Sequence, residues 1–386
     1  MTQADLYETV RQKLSLGAIT TPRHEKVIEL MKVFWNEPEI KLLSHFPQSG
    51  KLISVQELVE KSGMPRSEVR SLMNNAAQRH TIAKIGAKYG LVPLIPGVFE
   101  GYFISRADSK ENLAKAAILY RFIIKNTPSL SMISEGGQNK FGAAPITSPL
   151  LPYDAQTRLI KIDEPVNIEK KVLSTELVKD LIDRNDTFAA LTCPCRLVAQ
   201  MSGEPCSVAP AELGCFMVGV AAKLAVQAGF GRPLTKEQAI EFIRKTEEAG
   251  LVHNAMGATK DQVYAICNCC KCHCGALSPT NQTQMRLKFV SPSNFTPKHQ
   301  PEQCTLCEKC LEMCPMDAIS HPSGEDILWF NPTLCIGCGV CAANCPENAV
   351  LMIKARSNRQ KSFETISQET EEISFKDLFQ AIIVGP

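Results

Sequence analysis

The first hundred residues carry a readable alternation of apolar and polar positions. Val27, Ile28, Leu30, Met31 and Phe34 recur at helical spacing, which predicts a helix over 24–46. Ser54 followed by Glu57 is a capping box opening a helix that bears Val55, Leu58 and Val59. Gly63 makes a turn, and Pro65 suits the first position of a third helix with Val69, Leu72, Met73 and Ala76 on one face. Ile82–Ile85, a tip over Gly86–Gly90 and Tyr89–Leu94 then predict a hairpin, ended by Pro93, Pro96 and Gly97. Helix, helix and hairpin in this order predict a winged helix-turn-helix-like domain over 1–100, with residues 1–23 as a helical lead-in.

Beyond it the pattern is mixed. Asn112–Lys125 and Ser174–Arg184 read as helices, Leu159–Ile162 as a strand, and the Pro-, Gly- and Ser-rich Thr127–Asp154 as a long loop. Cys215–Gln227 reads as a buried helix. Thr235 with Gln238 caps another, which Gly250 closes. Residues 276–303 have linker chemistry, and the tail 356–386 is polar, with a short helix expected at Phe375–Ile383. The expected class is α+β: the N-terminal domain, a mixed Cys-rich middle domain over 101–275, the linker, and a C-terminal unit over 304–355.

Composition narrows the chemistry. The chain has 386 residues, 44% of them hydrophobic, and a formal net charge of +2, so no global charge drives it to nucleic acid or membrane. Residues 1–23 lack a signal-type apolar stretch, and the most apolar later run, Cys215–Phe230, is interrupted by Lys223. No membrane insertion and a cytoplasmic location are expected. All 17 cysteines lie between Cys193 and Cys345, in tight local runs. Such runs hold metal rather than a disulfide framework.

One internal repeat stands out. Cys304–Ser320 reads CTLCEKCLEMCPMDAIS, and Cys335–Leu351 reads CIGCGVCAANCPENAVL. Three closely spaced thiolates wrap one cubane, while the fourth, on a following turn before Pro315 or Pro346, points to the neighbouring one. Cluster I is therefore assigned Cys304, Cys307, Cys310 and Cys345, and cluster II Cys335, Cys338, Cys341 and Cys314. Gly337 and Gly339 let backbone amides approach the cluster, and Ile319, Ile336, Val340, Val350 and Ile353 are expected to shield it. A pair of zinc sites would not require two interlocked runs.

These motifs resemble the bacterial-type two-[4Fe–4S] ferredoxin domain, over about an eighth of the chain. The resemblance implies low-potential, one-electron transfer. One departure is a longer segment between the repeats, His321–Pro332, expected to alter only an external loop.

The other nine cysteines are Cys193, Cys195, Cys206, Cys215, Cys267, Cys269, Cys270, Cys272 and Cys274. If the second run is extended, Cys267 and Cys269 share one face and Cys270, Cys272 and Cys274 the other. At least one further [4Fe–4S] cluster is expected from the two groups together, with Arg196 and Lys271 offsetting thiolate charge and His253 and His273 as alternative ligands. Structural zinc, a redox-active or substrate-facing thiol site and simple buried cysteines are the other readings. The overall arrangement resembles multidomain iron–sulfur proteins of anaerobic microbes.

Three functions follow as expectations. The leading one is an electron-transfer protein, or the electron-transfer subunit of an anaerobic oxidoreductase, docking transiently on a redox partner protein, as a homo-oligomer or within a multi-subunit complex. The second is a redox-sensing regulator that binds DNA through Lys61, Arg66, Arg70, Arg79, Lys84 and Lys88, with Asn74, Asn75 and Gln78 on the same helix. It is not favoured, because such domains also serve as protein-binding modules. The third is a catalytic reductase using the middle thiols. No GxGxxG after a strand, P-loop, HExxH or Ser-His-Asp pattern is present.

Overall fold

The computed structural model describes residues 3–15, 21–131, 147–153, 177–256, 263, 265–278 and 290–354. The strand expected at Leu159–Ile162, most of the loop expected over Thr127–Asp154 and the tail 356–386 lie outside these residues.

The N-terminal part begins with α1 (Gln3–Lys13), α2 (Glu25–Phe34) and α3 (Glu37–Leu43). The single helix expected over 24–46 is two, because Asn36 and Glu39 form a reciprocal capping box that starts α3 afresh. Trp35, fully buried at the break, donates its indole N–H to Thr81 at 3.0 Å, while its carbonyl accepts from the Tyr7 hydroxyl at 2.8 Å. Then come β1 (Leu52–Ser54), α4 (Val55–Ser62), α5 (Arg66–Gln78), β2 (Ala83–Ile85) and β3 (Lys88–Gly90). The Ser54–Glu57 capping box forms, and Gly63 ends α4 in the left-handed region at φ 69°. The strands make an antiparallel sheet in the order β1-β3-β2. Helices α6 (Phe99–Ser105) and α7 (Lys110–Ser131) close this core.

The middle part is a six-stranded antiparallel sheet in the order β4-β8-β9-β6-β5-β7. Its strands are β4 (Thr147–Pro149), β5 (Phe188–Leu191), β6 (Phe216–Val218), β7 (Gly231–Leu234), β8 (Val252–Met256) and β9 (Ala265–Cys269). Helices α8 (Val178–Asp183) and α11 (Lys236–Glu248) pack on one face, and α10 (Gly219–Gln227) covers the other with Ala221, Ala222 and Ala225. The helix expected from Cys215 thus starts four residues later. Phe216–Val218 is a buried inner strand, an apolar run too short for periodicity to tell from helix. Between β5 and β6 lies α9 (Pro194–Met201). Its Leu197 and Val198 join the N-terminal core, where α9 packs against α6 and α7.

The C-terminal part holds β10 (Phe295–His299), α12 (Lys309–Met313), β11 (Ile319–Ser320), β12 (Trp329–Phe330), α13 (Val340–Ala343) and β13 (Val350–Lys354). Strand β10, inside the stretch expected as a linker, pairs antiparallel with β13, and β12 pairs with β11. Each repeat therefore has a leading strand, and each leading strand pairs with the trailing strand of the other repeat. The leading strand of the first repeat is hard to see in sequence because Pro297 interrupts its pattern.

Candidate metal centres

The two C-terminal repeats adopt the same backbone, down to its unusual torsions. Leu306, Glu308 and Asp317 have φ of 55°, 57° and 47°; their equivalents Gly337, Gly339 and Asn348 have 68°, 76° and 55°. Each such residue curls the chain so that amides face inward. The Leu306 and Gly337 N–H groups donate to Cys304 and Cys335 sulfurs, both at 3.4 Å. The Ala318 and Ala349 N–H groups donate to Cys314 at 3.3 Å and Cys345 at 3.2 Å. The rings of His299 and Phe330, at equivalent ends of the leading strands, lie 5.4 Å apart.

Two cavities open inside this pair of loops. One is lined by Cys304, Cys307, Cys310 and Cys345, with Leu328 and Val350. The other is lined by Cys314, Cys335, Cys338 and Cys341, with Ile319, Ile336 and Met352. Each is closed by three thiols of one run and the last thiol of the other. Ile319, Ile336, Val340 and Val350 are buried as expected, whereas Ile353 is half-exposed. Cys307 alone among these eight is exposed, so the first cavity has a solvent-facing edge. Burial pushes the Cys310 thiol up to about 11 and raises those of Cys314, Cys338 and Cys341. Without metal these thiols are protonated at neutral pH, so loading the cavities releases protons. The inward amides, the four-thiol linings and the apolar walls fit a cubane in each cavity.

The middle thiols come from three places in the fold. Cys193 and Cys195 start α9, Cys206 and Cys215 flank the loop before β6, and the rest lie on β9 and the turn after it. The chain is extended only to Cys269. It then turns, so the strict face alternation expected through Cys274 stops there. A string of neighbouring sulfurs runs from Cys193 to Cys195, Cys274, Cys269 and Cys267, and on to Cys215, whose sulfur is 3.7 Å from that of Cys267. Contacts with Cys267 and Cys274 draw the Cys269 thiol down to about 6. A separate knot joins Cys206, Cys270, Cys272 and His273, whose ligand atoms all lie within 4.8 Å of one another.

Arg196 lies between the two groups and is 1% exposed. Its guanidinium donates to the carbonyls of Pro210, Asn268 and Leu213 and faces the thiols of Cys193, Cys270 and Cys206. A buried guanidinium with carbonyls as its oxygen acceptors favours anionic partners, and the Cys193, Cys206 and Cys270 sulfurs beside it would supply them once they bind metal. Lys271 instead reaches out to the Glu312 carbonyl at 2.8 Å, joining the middle part to α12. His253 stands apart from the sulfurs: its ring nitrogens meet Asn268 at 2.7 Å and Glu247 at 3.2 Å. Asn268, between two cysteines of β9, also donates to the Gly214 carbonyl at 2.6 Å, so it holds β9 against the Cys215 loop. Spacing arguments pass over such a residue; its place between Cys267 and Cys269 is the signal.

Near the N-terminus the basic residues divide. Arg79 is drawn into an ion pair with buried Glu39 at 2.7 Å, and Lys84 donates to Asn74 at 3.2 Å. Lys61, Arg66, Arg70 and Lys88 remain exposed. Among the described residues, no helix is long and apolar enough to cross a membrane.

Comparison with known proteins points to the same end of the chain. Residues 303–350 match the family model of the 4Fe-4S dicluster domain. Hydrogenase-4 component A of Escherichia coli is 38% identical over 88 residues, 22% of this chain and 40% of that protein. Protein NrfC of Escherichia coli is 27% identical over 139 residues, 34% of this chain and 58% of NrfC. Ferredoxin-1 of Caulobacter vibrioides is 41% identical over 51 residues, 13% of this chain and 43% of that protein. The matched stretches thus span less than two thirds of each of these relatives. No solved structure matches the chain. The C-terminal segment is a dicluster ferredoxin domain, built for two [4Fe–4S] clusters.

Proposed function

We propose that this chain is an iron–sulfur electron-transfer subunit of an anaerobic oxidoreductase. The observation that carries the reading is the pair of cavities, each lined by three thiols of one repeat and the fourth of its twin. Cys304, Cys307, Cys310 and Cys345 would hold one cluster, and Cys335, Cys338, Cys341 and Cys314 the other. When bound, these groups supply reversible one-electron chemistry at low potential. The chain supplies the rest. Its inward amides favour the added negative charge on reduction, and its apolar walls exclude water. The exposed Cys307 edge gives a partner protein a short path to the first centre.

The middle thiols are read as a further metal-bearing unit on this path. Cys269, Cys270 and Cys274 share one apolar core with Cys310, Cys314 and Cys338, which brings the two thiol regions within one packed body. The likeness to Hydrogenase-4 component A supports placement in a multi-subunit redox complex. Residues 1–100 are read as a winged-helix-like domain that packs on a neighbour: its core already includes Leu197 and Val198 of α9, next to Cys195. The limits we propose are an N-terminal unit that runs past residue 100 to include α6 and α7, a thiol-bearing middle unit up to 275, and a ferredoxin unit over 304–355 extended by β10, with a cytoplasmic location.

The test is oxygen-free purification of the full chain with iron and sulfide counts and EPR of the reduced protein. At least eight irons per chain, with signals from two interacting centres, are expected. Iron without acid-labile sulfide, or no reducible signal, would refute the reading.

A further inference from the structure

The nine middle cysteines do not form one site. In the ferredoxin cavities, which are built for four-iron groups, no three of the eight thiols draw together as tightly as Cys206, Cys270, Cys272 and His273. That knot is the one such group among the described residues. Its Cys206 and Cys272 sulfurs are 3.4 Å apart, and His273 Nδ1 is 3.0 Å from the Cys272 sulfur. Bonds of ~2.3 Å to sulfur and ~2.0 Å to nitrogen set tetrahedral edges of roughly 3.5–3.8 Å around a single ion. A cubane spaces its thiolates around four irons and needs a wider opening.

We infer that Cys206, Cys270, Cys272 and His273 form a mononuclear Zn²⁺ site, separate from the remaining six middle thiols. Three thiolates and a neutral imidazole around Zn²⁺ leave one net negative charge, which the buried Arg196 guanidinium beside Cys206 and Cys270 offsets. The His273 backbone N–H donates to the Cys270 sulfur at 3.4 Å, a bond that steadies a thiolate. The ion ties the loop after α9 to the turn after β9, two segments that no strand pairing joins directly. Lys271, inside the same turn, reaches the Glu312 carbonyl, so the tie also fixes the turn against the ferredoxin domain. Its role is structural: all four positions are filled by protein, leaving none open for substrate. Cys193, Cys195, Cys215, Cys267, Cys269 and Cys274 remain for any additional iron–sulfur group.

The inference does not depend on the electron-transfer reading, and the two fail separately. The full chain is expressed with iron and zinc both supplied and purified without oxygen. About one zinc per chain is expected, with an X-ray absorption fit of three sulfurs at ~2.3 Å and one nitrogen at ~2.0 Å. The Cys206→Ser/Cys272→Ser double variant should lose that zinc and keep the wild-type ferredoxin EPR signal, which also reports that it is folded. The absorption spectrum of the unaltered chain decides the matter if the variant does not fold. Wild-type protein without stoichiometric zinc, a four-sulfur shell, or a double variant that keeps its zinc and loses about four irons would overturn the inference.

Discussion

The ferredoxin domain and the middle thiol region use the same ligand chemistry with opposite architectures. In the ferredoxin domain the ligands arrive in two short runs, and each run places three of the four thiols of one cavity. The same left-handed torsions recur at Leu306 and Gly337, and at Glu308 and Gly339. In the middle region the ligands converge only because β6, β8 and β9 pair and because α9 returns to them. Local ligation gives a site that its spacing describes, whereas ligation across a sheet gives one whose membership depends on tertiary packing. The buried charge follows the same division. The ferredoxin cavities meet their sulfurs with backbone amides, while the middle region adds to its amides a whole guanidinium, Arg196.

Arg196→Ala strikes only one side of that contrast. It removes three carbonyl contacts and the cation beside Cys193, Cys206 and Cys270. Loss of one partner from a buried charged cluster costs about 3–5 kcal/mol. We expect the middle-site metal to be lost and thermal unfolding to fall by several degrees, while the ferredoxin EPR signal persists. Equal loss of both signals would merge the two regions into one unit.

Within the ferredoxin domain, Gly337→Ala and Leu306→Gly probe whether the repeats are equivalent. A Cβ at Gly337 would lie 2.2 Å from the Phe295 carbonyl oxygen, on a backbone already at φ 68°. The left-handed backbone alone costs an alanine about 1–2 kcal/mol, and the collision with β10 adds to it. Gly337→Ala should lower the iron content of the cavity that contains Cys335, and Leu306→Gly should leave the iron count unchanged. Metal analysis of the two variants checks this. The reverse ranking would show that β10 does not press on the second repeat.

The smallest effect comes from a difference between the repeats. His321 Nδ1 meets Glu308 at 2.5 Å beside the first cavity, and the equivalent of Glu308 is Gly339. The hydrogen bond that His321 donates to the Glu308 carboxylate raises the affinity of His321 for its proton. Whatever stability the pair adds is present below the ordinary imidazole range and is lost as pH rises through the raised value. The same proton favours a reduced, more negative centre nearby. The potential of the first centre should therefore fall over that window, and His321→Gln should flatten the slope. Redox titrations at several pH values test this; an equal slope at both centres, or one unaffected by the substitution, would count against it.

The sequence was most informative where structure is local. Capping boxes at Ser54–Glu57 and Thr235–Gln238 form as their spacing suggests, because each needs only four consecutive residues. The Cys runs likewise announce the dicluster domain. The break between α2 and α3 at Asn36 is hidden under continuous apolar periodicity. Strand β10 is hidden by Pro297, and its pairing with β13 forms only once the two repeats fold together. Phe216–Val218 takes its strand conformation from neighbours on both sides. Cys206 could not be joined to His273 from sequence, because the contact exists only once β9 is seated in the sheet. For the same reason Arg79 reads as a free basic residue until Glu39 is brought beside it.

The crossed arrangement of the last thiols is tested most directly by comparing Cys345→Ser with Cys304→Ser and Cys335→Ser in oxygen-free full-length protein. Each should lose about four irons. The reduced EPR spectrum of Cys345→Ser should match that of Cys304→Ser and differ from that of Cys335→Ser. A Cys345→Ser spectrum that instead coincides with that of Cys335→Ser would mean that each run keeps its own fourth ligand, and the interlocked design would be wrong.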